Sequence, residues 1–474
     1  MHSRNPSPPS IPLYEAALAL LRKGVGNPEA KFRDGQFDAI EHVLNRRGPL
    51  LVVQKTGWGK SNVYFIISKM LRDAGSGPVL LISPLLALMR NQMVAATRMG
   101  LEARRVTSEE KSREEWDQIK SEVLAGKIDV LLISPERLAN DTFITETLTP
   151  VAQKLGMLVV DEAHCISDWG HDFRPDYRRI TRILQSLPRN IPILATTATA
   201  NNRVIEDLKV QLGSKLKIMR GEMTRPSLCL QVIHLPAPVE RMAWLAETLR
   251  NLPGSGIIYT LTIRDARIVA KWLKENGIAA RPYWGAMDKA CRVPGLRETI
   301  EQDLLANRIK ALVATTALGM GFDKPDLSFV IHYQLPGSVI HYYQQVGRAG
   351  RALDKAHGIL LCGSEDKEIT DHFIDSAFPV RENIEQLLTL LDGSANGMTQ
   401  WEIQRHLNLS HGEVSKALKL LTLESPAPII CEHTCWKRTS ARLRGGFWER
   451  IERLTNLRRA SRSKCASIRK RGNA

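Results

Sequence analysis

The chain has 474 residues, 43% hydrophobic and 24% charged, with a formal net charge of +16 at pH 7. That length is too great for one ordinary core and calls for two to four domains, and the composition reads as soluble and globular. No apolar run reaches the ~20 residues of a membrane-spanning helix, so no membrane partner is expected, and the surplus of positive charge suits a polyanion such as nucleic acid.

In chain order, residues 1–14 lack the apolar centre of a secretory signal and read as a disordered leader. Seven scattered cysteines, an odd number, fit free thiols in a reducing compartment, so the expected location is cytoplasmic. Short apolar runs then alternate with helix-length amphipathic stretches: "PLLVVQ" (49–54), "PVLLISP" (78–84), "IDVLLISP" (128–135), "MLVVDE" (157–162) and "IPILATTAT" (191–199). A second set follows: "LQVIHL" (230–235), "SGIIYT" (255–260), "AARPYWG" (279–285), "IKALVATT" (309–316), "LSFVIHYQ" (327–334) and "GILLCG" (358–363). Runs apolar throughout belong to parallel sheets covered on both faces, so the pattern predicts two doubly wound α/β lobes, 15–213 and 214–376, joined near 213–226. In such sheets ligands sit at the carboxyl ends of the strands.

From about residue 378 the pattern turns helical. A winged-helix-like DNA-binding module is expected over 377–445; the plainer alternative is a helical cap that touches no DNA. Thr399 and Ser410 are candidate N-caps, with Glu402 and Glu413 three residues on as in capping boxes. "APIICEHTCWKRT" predicts a two-stranded wing. Cys431, His433 and Cys435 within it have no second pair of ligands nearby and make a poor zinc site, so no zinc is expected. Residues 446–474 read as a disordered basic tail; from 441 onward, eleven Lys/Arg stand against two Glu, a net of +9.

The chemistry gathers at predicted strand ends. "QKTGWGKS" (54–61) follows a buried strand and opens a helix. Gly57 and Gly59 let backbone N–H groups curl around phosphates, with Thr56 and Trp58 in the same loop. Lys60 would pair with the β- and γ-phosphates and Ser61 would hold Mg2+. In "VVDEAH", Asp161 would bind the same ion and Glu162 would orient or deprotonate the attacking water. "QQVGRAGR" (344–351) offers Gln344 and two guanidiniums set by glycines, Arg348 and Arg351, for the charge that builds at the γ-phosphate. "KFRDGQ" (31–36) is a candidate base site: Phe32 accompanies Arg33, which would lie over adenine, and Gln36, which would read its edge. ATP and Mg2+ are the implied ligands. After the acidic box, "HCISDWGHDFRPDY" crowds aromatic and hydrogen-bonding groups into a stretch with little periodicity.

Taken together, "FRDGQ", "KTGWGKS", "ISPLLALMRNQ", "ISPERL", "DEAHCISDWGHDFRPDY", "LATTATA", "VATTALGMGFDKPD" and "YYQQVGRAGR" occur in an order that resembles the RecQ-family DNA helicases of superfamily 2. The resemblance covers residues 15–375 and continues more weakly to about 450. It implies two tandem RecA-like lobes and a monomeric or weakly oligomeric ATP-dependent helicase acting in DNA repair or recombination. Such a motor moves 3′-to-5′ along single-stranded DNA and opens tailed or forked duplexes. The resemblance assigns Trp169, His171, Phe173 and Arg174 to coupling DNA to hydrolysis, in keeping with aromatic faces that stack on bases at about 1–3 kcal/mol each. It likens Thr197 and Thr199 to the element joining the lobes, and puts Asp323 near the nucleotide cleft.

Several positions depart from the family pattern. Glu29 stands where an aromatic residue is common, Trp58 where the loop has a small residue, Trp284 where a His is usual, and Ala352–Leu353 where an acidic–Gly pair is usual. The four-cysteine zinc module of many members is absent, with only Cys362 in that neighbourhood. Its absence keeps a second reading open: a DNA-stimulated ATPase or translocase that leaves strands paired and serves as a recruitment or defence component.

Overall fold

The computed structural model describes residues 11–471 apart from positions 85, 107–112, 141, 168–176, 178, 189, 320–321, 425 and 433. The first lobe is one sheet of seven strands: β1 (Leu50–Val53), β2 (Val79–Ile82), β3 (Ala103–Val106), β4 (Val130–Ile133), β5 (Met157–Val160), β6 (Ile193–Thr197) and β7 (Lys217–Arg220). Their order is β3-β4-β2-β5-β6-β1-β7, with every pairing parallel. Strands β1, β2, β4 and β5 are buried along their whole length, which is why they read as unbroken apolar runs. The two edge strands, "ARRV" and "KIMR", are polar and only partly buried. Edge strands tolerate charge because one side lacks a partner, and a search for apolar runs passes over them. β7 corrects the expected boundary: the first sheet extends to Arg220, seven residues past 213.

The second lobe holds β8 (Leu228–His234), β9 (Gly256–Tyr259), β10 (Ala280–Tyr283), β11 (Ala311–Ala314), β12 (Phe329–His332) and β13 (Ala356–Cys362). They run in the order β10-β11-β9-β12-β13-β8, again all parallel. Two RecA-like α/β lobes are thus present as expected.

The third unit packs helices Arg381–Asp392, Gln400–Leu407 and His411–Leu421 against a small antiparallel sheet. That sheet comprises β14 (Met398–Thr399), β15 (Ile429–Glu432) and β16 (Cys435–Arg438), in the order β14-β16-β15. Both capping boxes form: Thr399 Oγ1 accepts from Glu402 N at 3.3 Å while Glu402 Oε2 accepts from Thr399 N at 2.7 Å. Ser410 and Glu413 repeat this at 3.3 and 2.9 Å. Ile384, Leu387, Val414, Leu418 and Ile429 form its core.

Both expected disordered ends need correction. A helix starts at Ile11, inside the expected leader, and buries Ala17, Leu18 and Leu21 in the first lobe. The basic tail is a 26-residue helix, Gly446–Arg471, hereafter the terminal helix. Its buried side chains Phe447, Ile451, Leu454 and Cys465 follow a helical 4–3 spacing that Arg458 and Ser461 complete. Phe447 and Ile451 enter the core of the third unit. Farther along, Cys465 closes an apolar cluster of the second lobe with Leu335, Tyr342, Val346, Leu360 and Cys362. The helix Asp366–Asp375 supplies counter-charge: Arg459 bonds Asp375 at 2.9 Å and Arg462 pairs with Asp371. Arg458 lies 4.9 Å from the Phe378 ring centroid. Part of the tail's charge is paired within the protein, which composition alone does not reveal. Burial pushes the Cys465 thiol up to about 12.

Substituting Cys465→Glu would place a carboxylate in that apolar cluster and should undock the distal half of the terminal helix. Limited trypsin digestion should then remove it rapidly, whereas the wild-type segment stays protected; equal protection in both would contradict the docking.

Candidate nucleotide site between the lobes

The sheet order explains why distant segments meet. β5, β6 and β1 are neighbours, so the acidic box, the threonine segment and the phosphate loop leave the same edge side by side. The phosphate loop turns back through Gly57 (φ 80°) and Gly59 (φ 97°), left-handed conformations that suit glycine, before the helix Lys60–Asp73 begins. A Cβ on Gly59 would lie 2.6 Å from Gln36 Nε2. Lys60 Nζ donates to Gln54 O at 2.8 Å. Burial lowers its pKa, against the pull of Glu162 and Asp161.

Asp161 is fixed at each oxygen. Oδ1 accepts from Thr196 Oγ1 at 2.6 Å and from Glu162 N at 3.0 Å; Oδ2 accepts from Gln92 Nε2 at 3.0 Å. Burial, then the neighbouring Glu162 charge, raises its pKa to about 6, with the Thr196 bond opposing. Glu162 is left-handed at φ 49°, a strained state for a non-glycine residue. Its Oε2 lies 3.2 Å from His164 Nδ1, which in turn lies 2.8 Å from Thr197 Oγ1. Burial opposes a proton on His164, but Cys165 and Glu162 outweigh it and hold the pKa well above the usual value. Thr197 Oγ1 then accepts from Thr199 N at 3.2 Å. A polar chain therefore runs from Glu162 to Thr199 within the first lobe. Cys165 is fully buried, as a small core thiol.

The base-site residues behave differently from one another. Arg33 Nη1 donates to Gly57 O. Gln36 accepts from Arg33 N at 2.8 Å and donates to Trp58 O at 2.7 Å, so one end of its amide is held by its own segment and the other braces the phosphate loop. Trp58 is buried and its indole N–H donates to Asp34 O at 3.1 Å. Phe32 stacks edge-on with Tyr14 and tilts against Phe37, with ring centroids 5.6 and 5.7 Å away. It backs the loop and is not among the residues lining the cleft.

From the second lobe, the helix Val339–Val346 carries Gln344 and leads into both arginines. Arg348 Nη1 donates to Phe322 O at 3.0 Å, and Arg351 bonds Asp323 at 2.6 Å. Gly347 lies so close to the other lobe that a Cβ there would sit 2.9 Å from Thr56 Oγ1. The lobes enclose a cleft of about 930 Å³ lined by Thr56, Lys60, Ser61, Asp161 and Glu162 on one side and Gln344, Arg348 and Arg351 on the other. Thr56 Oγ1, Gln344 Nε2, Arg348 Nε and Arg351 Nε are buried and have no hydrogen-bond partner among the described residues. Orphaned groups around a positive cradle fit a nucleoside triphosphate, and the Asp161 carboxylate beside Ser61 fits its Mg2+.

Trp169, His171, Phe173 and Arg174 lie outside the described residues. The flanks of their segment are tied down: Ser167 Oγ donates to Asp207, and Tyr177 Oη to Asp161 O at 2.9 Å. The C-terminal flank thus touches the backbone of the acidic box. Met320 and Gly321 of "GMGFDKPD" and His433 also fall outside. Among the described residues, no group of three or more His, Cys, Asp or Glu is placed to hold a metal ion, and no helix is long and apolar enough to cross a membrane.

Sequence reasoning missed Gln92, Thr196, His332 and Arg225. His332 is buried at the end of β12, stacks on Tyr259 with centroids 5.5 Å apart, and donates from Nε2 to Gln345 Oε1 at 2.9 Å, anchoring the helix that leads to the arginines. Arg225 had one available signal: it is a cation in the segment expected to join the lobes.

A phosphate loop and acidic box on one RecA-like lobe, faced by paired arginines on the other, define a two-lobed nucleotide-driven motor. Family models agree lobe by lobe: DEAD/DEAH box helicase matches residues 33–208, and the helicase conserved C-terminal domain matches 240–353. The chain belongs to the RecQ family of DNA helicases. It is 34% identical over 380 residues to the ATP-dependent DNA helicase RecQ of Synechocystis, covering 77% of this chain and 76% of that protein. Against the RecQ of Haemophilus influenzae it is 34% identical over 346 residues, 73% of this chain but 53% of the relative, so it spans about half of that protein. Among solved structures, Mycobacterium smegmatis helicase Lhr bound to ssDNA and AMP-PNP shares the fold, with a TM-score of 0.60 and 19% identity over 92% of this chain and 62% of that one.

Burial lowers the His332 pKa to about 4, with the Gln345 bond opposing. The unfolded chain takes up this proton near the ordinary 6.5, the folded one only near 4. Stability is therefore full above pH 6.5 and should fall by about 3 kcal/mol as pH drops from 6.5 to 4. Urea unfolding across that range should show a shallower acid-side loss in His332→Gln than in wild type.

Proposed function

We propose that this protein is an ATP-dependent DNA helicase that translocates 3′-to-5′ on single-stranded DNA and unwinds tailed or forked duplexes in repair or recombination. The observation that carries the proposal is the approach of Gly347, beside Arg348, to Thr56 of the phosphate loop. It puts a triphosphate within reach of both lobes at once. The activity for which the RecQ relatives are named supports the same reading.

In this mechanism the incoming phosphates replace backbone carbonyls as partners of the cations. Lys60 exchanges Gln54 O for a phosphate oxygen, and Arg348 and Arg351 turn their unpartnered Nε groups to the γ-phosphate. Asp161 and Ser61 are the residues that would hold Mg2+, which supplies neutralising charge on the phosphate oxygens. Glu162, steadied by His164, orients the attacking water. Loss of the γ-phosphate frees the arginines and the cleft opens. If each lobe grips the DNA strand with alternating strength, one cycle moves the protein one step.

Trp169, His171, Phe173 and Arg174 are assigned to sensing that strand, with the Tyr177–Asp161 bond as their link to the acidic box. The third unit, built as a helical module with a β15–β16 hairpin, is assigned to duplex DNA. Phosphate contacts make the affinity salt-sensitive and nearly independent of sequence.

The test is stopped-flow unwinding of a 3′-tailed duplex by nuclease-free protein. Strand separation that requires ATP supports the helicase; vigorous turnover on single strands without separation selects the non-unwinding translocase. Lys60→Ala should abolish turnover with or without DNA. Trp169→Ala should cut the DNA-stimulated rate by roughly tenfold or more, from one lost stacking contact, and reduce the DNA-free rate far less. Equal loss of both rates would remove the coupling role.

A further inference from the structure

The segment between β7 and β8 is more than a tether. Arg225 Nη1 donates to Gly347 O at 2.6 Å and to Ala349 O at 3.0 Å, and its Nη2 donates to Thr56 O. Gly347 and Ala349 flank Arg348; Thr56 belongs to the phosphate loop. One guanidinium on the linker therefore holds the two phosphate-facing loops, one from each lobe. The fit is close: a Cβ on Gly57 would lie 3.0 Å from Arg225 Nη2 and 3.3 Å from Arg351 Cδ.

Neighbouring bonds fasten the linker to the same two loops. Lys55 Nζ donates to Thr224 O at 2.8 Å on the first lobe. On the second, Tyr343 Oη donates to Met223 O at 3.0 Å and Ser227 Oγ to Gly350 O at 3.1 Å. Burial lowers the Arg225 pKa, Arg351 lowers it further, and Tyr343 opposes.

We infer that Arg225 is a positioning residue that sets the register of Arg348 and Arg351 against the phosphate loop; this rests on the proposed reading of the cleft as an ATP site. Its hydrogen-bond acceptors are main-chain carbonyls, which cannot swing aside as side chains do, so a change in lobe angle must strain or break these bonds. Carbonyls also leave the positive charge un-neutralised beside the place a polyanion would occupy. Three acceptors in two loops need the rigid, many-donor fork of a guanidinium; the single ammonium of lysine cannot reproduce it.

The experiment compares full-length wild type, Arg225→Ala, Arg225→Lys, Arg348→Ala and the Arg225→Ala/Arg348→Ala double variant. It reads DNA-stimulated ATP turnover, binding of a fluorescent ATP analogue, and the radius of gyration without nucleotide by small-angle scattering. Arg225→Ala should lower kcat by about 10- to 100-fold, the scale of a misplaced catalytic group, while analogue affinity changes by less than about threefold. Arg225→Lys should not restore kcat, the double variant should be no slower than Arg348→Ala, and the nucleotide-free Arg225→Ala protein should be more open. Three results would overturn the inference: unchanged kcat in Arg225→Ala, multiplicative losses in the double variant, or unchanged dimensions without nucleotide. Failure of wild type to hydrolyse ATP would instead sink the reading of the cleft, and the scattering comparison would still decide whether Arg225 latches the lobes.

Discussion

Arg33, Lys60, Arg225, Arg348 and Arg351 converge on a cleft that the carboxylates of Asp161, Glu162, Glu301 and Asp323 also line. Like charges brought together out of water repel and lose hydration, so such a cluster is costly unless something solvates it. Here main-chain carbonyls do so: Gly57 for Arg33, Gln54 for Lys60, Phe322 for Arg348, and the Thr56, Gly347 and Ala349 carbonyls for Arg225. Burial still lowers the pKa of Lys60, Arg225 and Arg351. Dipoles stabilise the cations without cancelling them, and the site keeps an unspent attraction for a polyanion. The geometry of both lobes is subordinate to keeping those carbonyls in place.

That subordination is visible in the first sheet. Because β6 lies between β5 and β1, Thr196 on the middle strand reaches Asp161 on one neighbour, while the phosphate loop springs from the other. A different strand order would separate these groups by a strand width or more. The polar chain from Glu162 through His164 and Thr197 to Thr199 runs across the ends of β5 and β6. It links the residue assigned to the attacking water with the segment that resembles a lobe connector. Both threonines make these bonds inside the first lobe.

How much of this was legible depended on the kind of signal. Strands apolar in sequence announce themselves, so eleven of the thirteen strands described in the two lobes were readable, and the two missed, β3 and β7, are the polar edges of the first sheet. The phosphate loop, acidic box and arginine pair were readable because each needs glycine or charge at a fixed spacing next to a strand end. Gln36 was read as a base reader; its amide here meets two backbone groups, Arg33 N in its own segment and Trp58 O twenty-two residues away, and no local pattern foretells the second. Arg225 and His332 went unread for a related reason: their partners come from other segments, and only the place of Arg225 in the expected joining segment marked either of them. The terminal helix was misread because arginines interrupt its apolar seam, and their counter-ions sit on another helix eighty or more residues upstream.

The terminal helix also bears on how the protein acquires its shape. Cys465 covers the apolar surface formed by Leu335, Tyr342, Val346 and Leu360, residues made more than a hundred positions earlier. The first lobe can complete its core once β7 has left the ribosome, whereas that patch on the second lobe stays open until the last turns of the helix are synthesised. Ribosomes supply the chain at about 5–20 residues per second, so the patch is bare for roughly five to twenty seconds. During that interval the patch faces solvent, and the finished helix is the group that covers it.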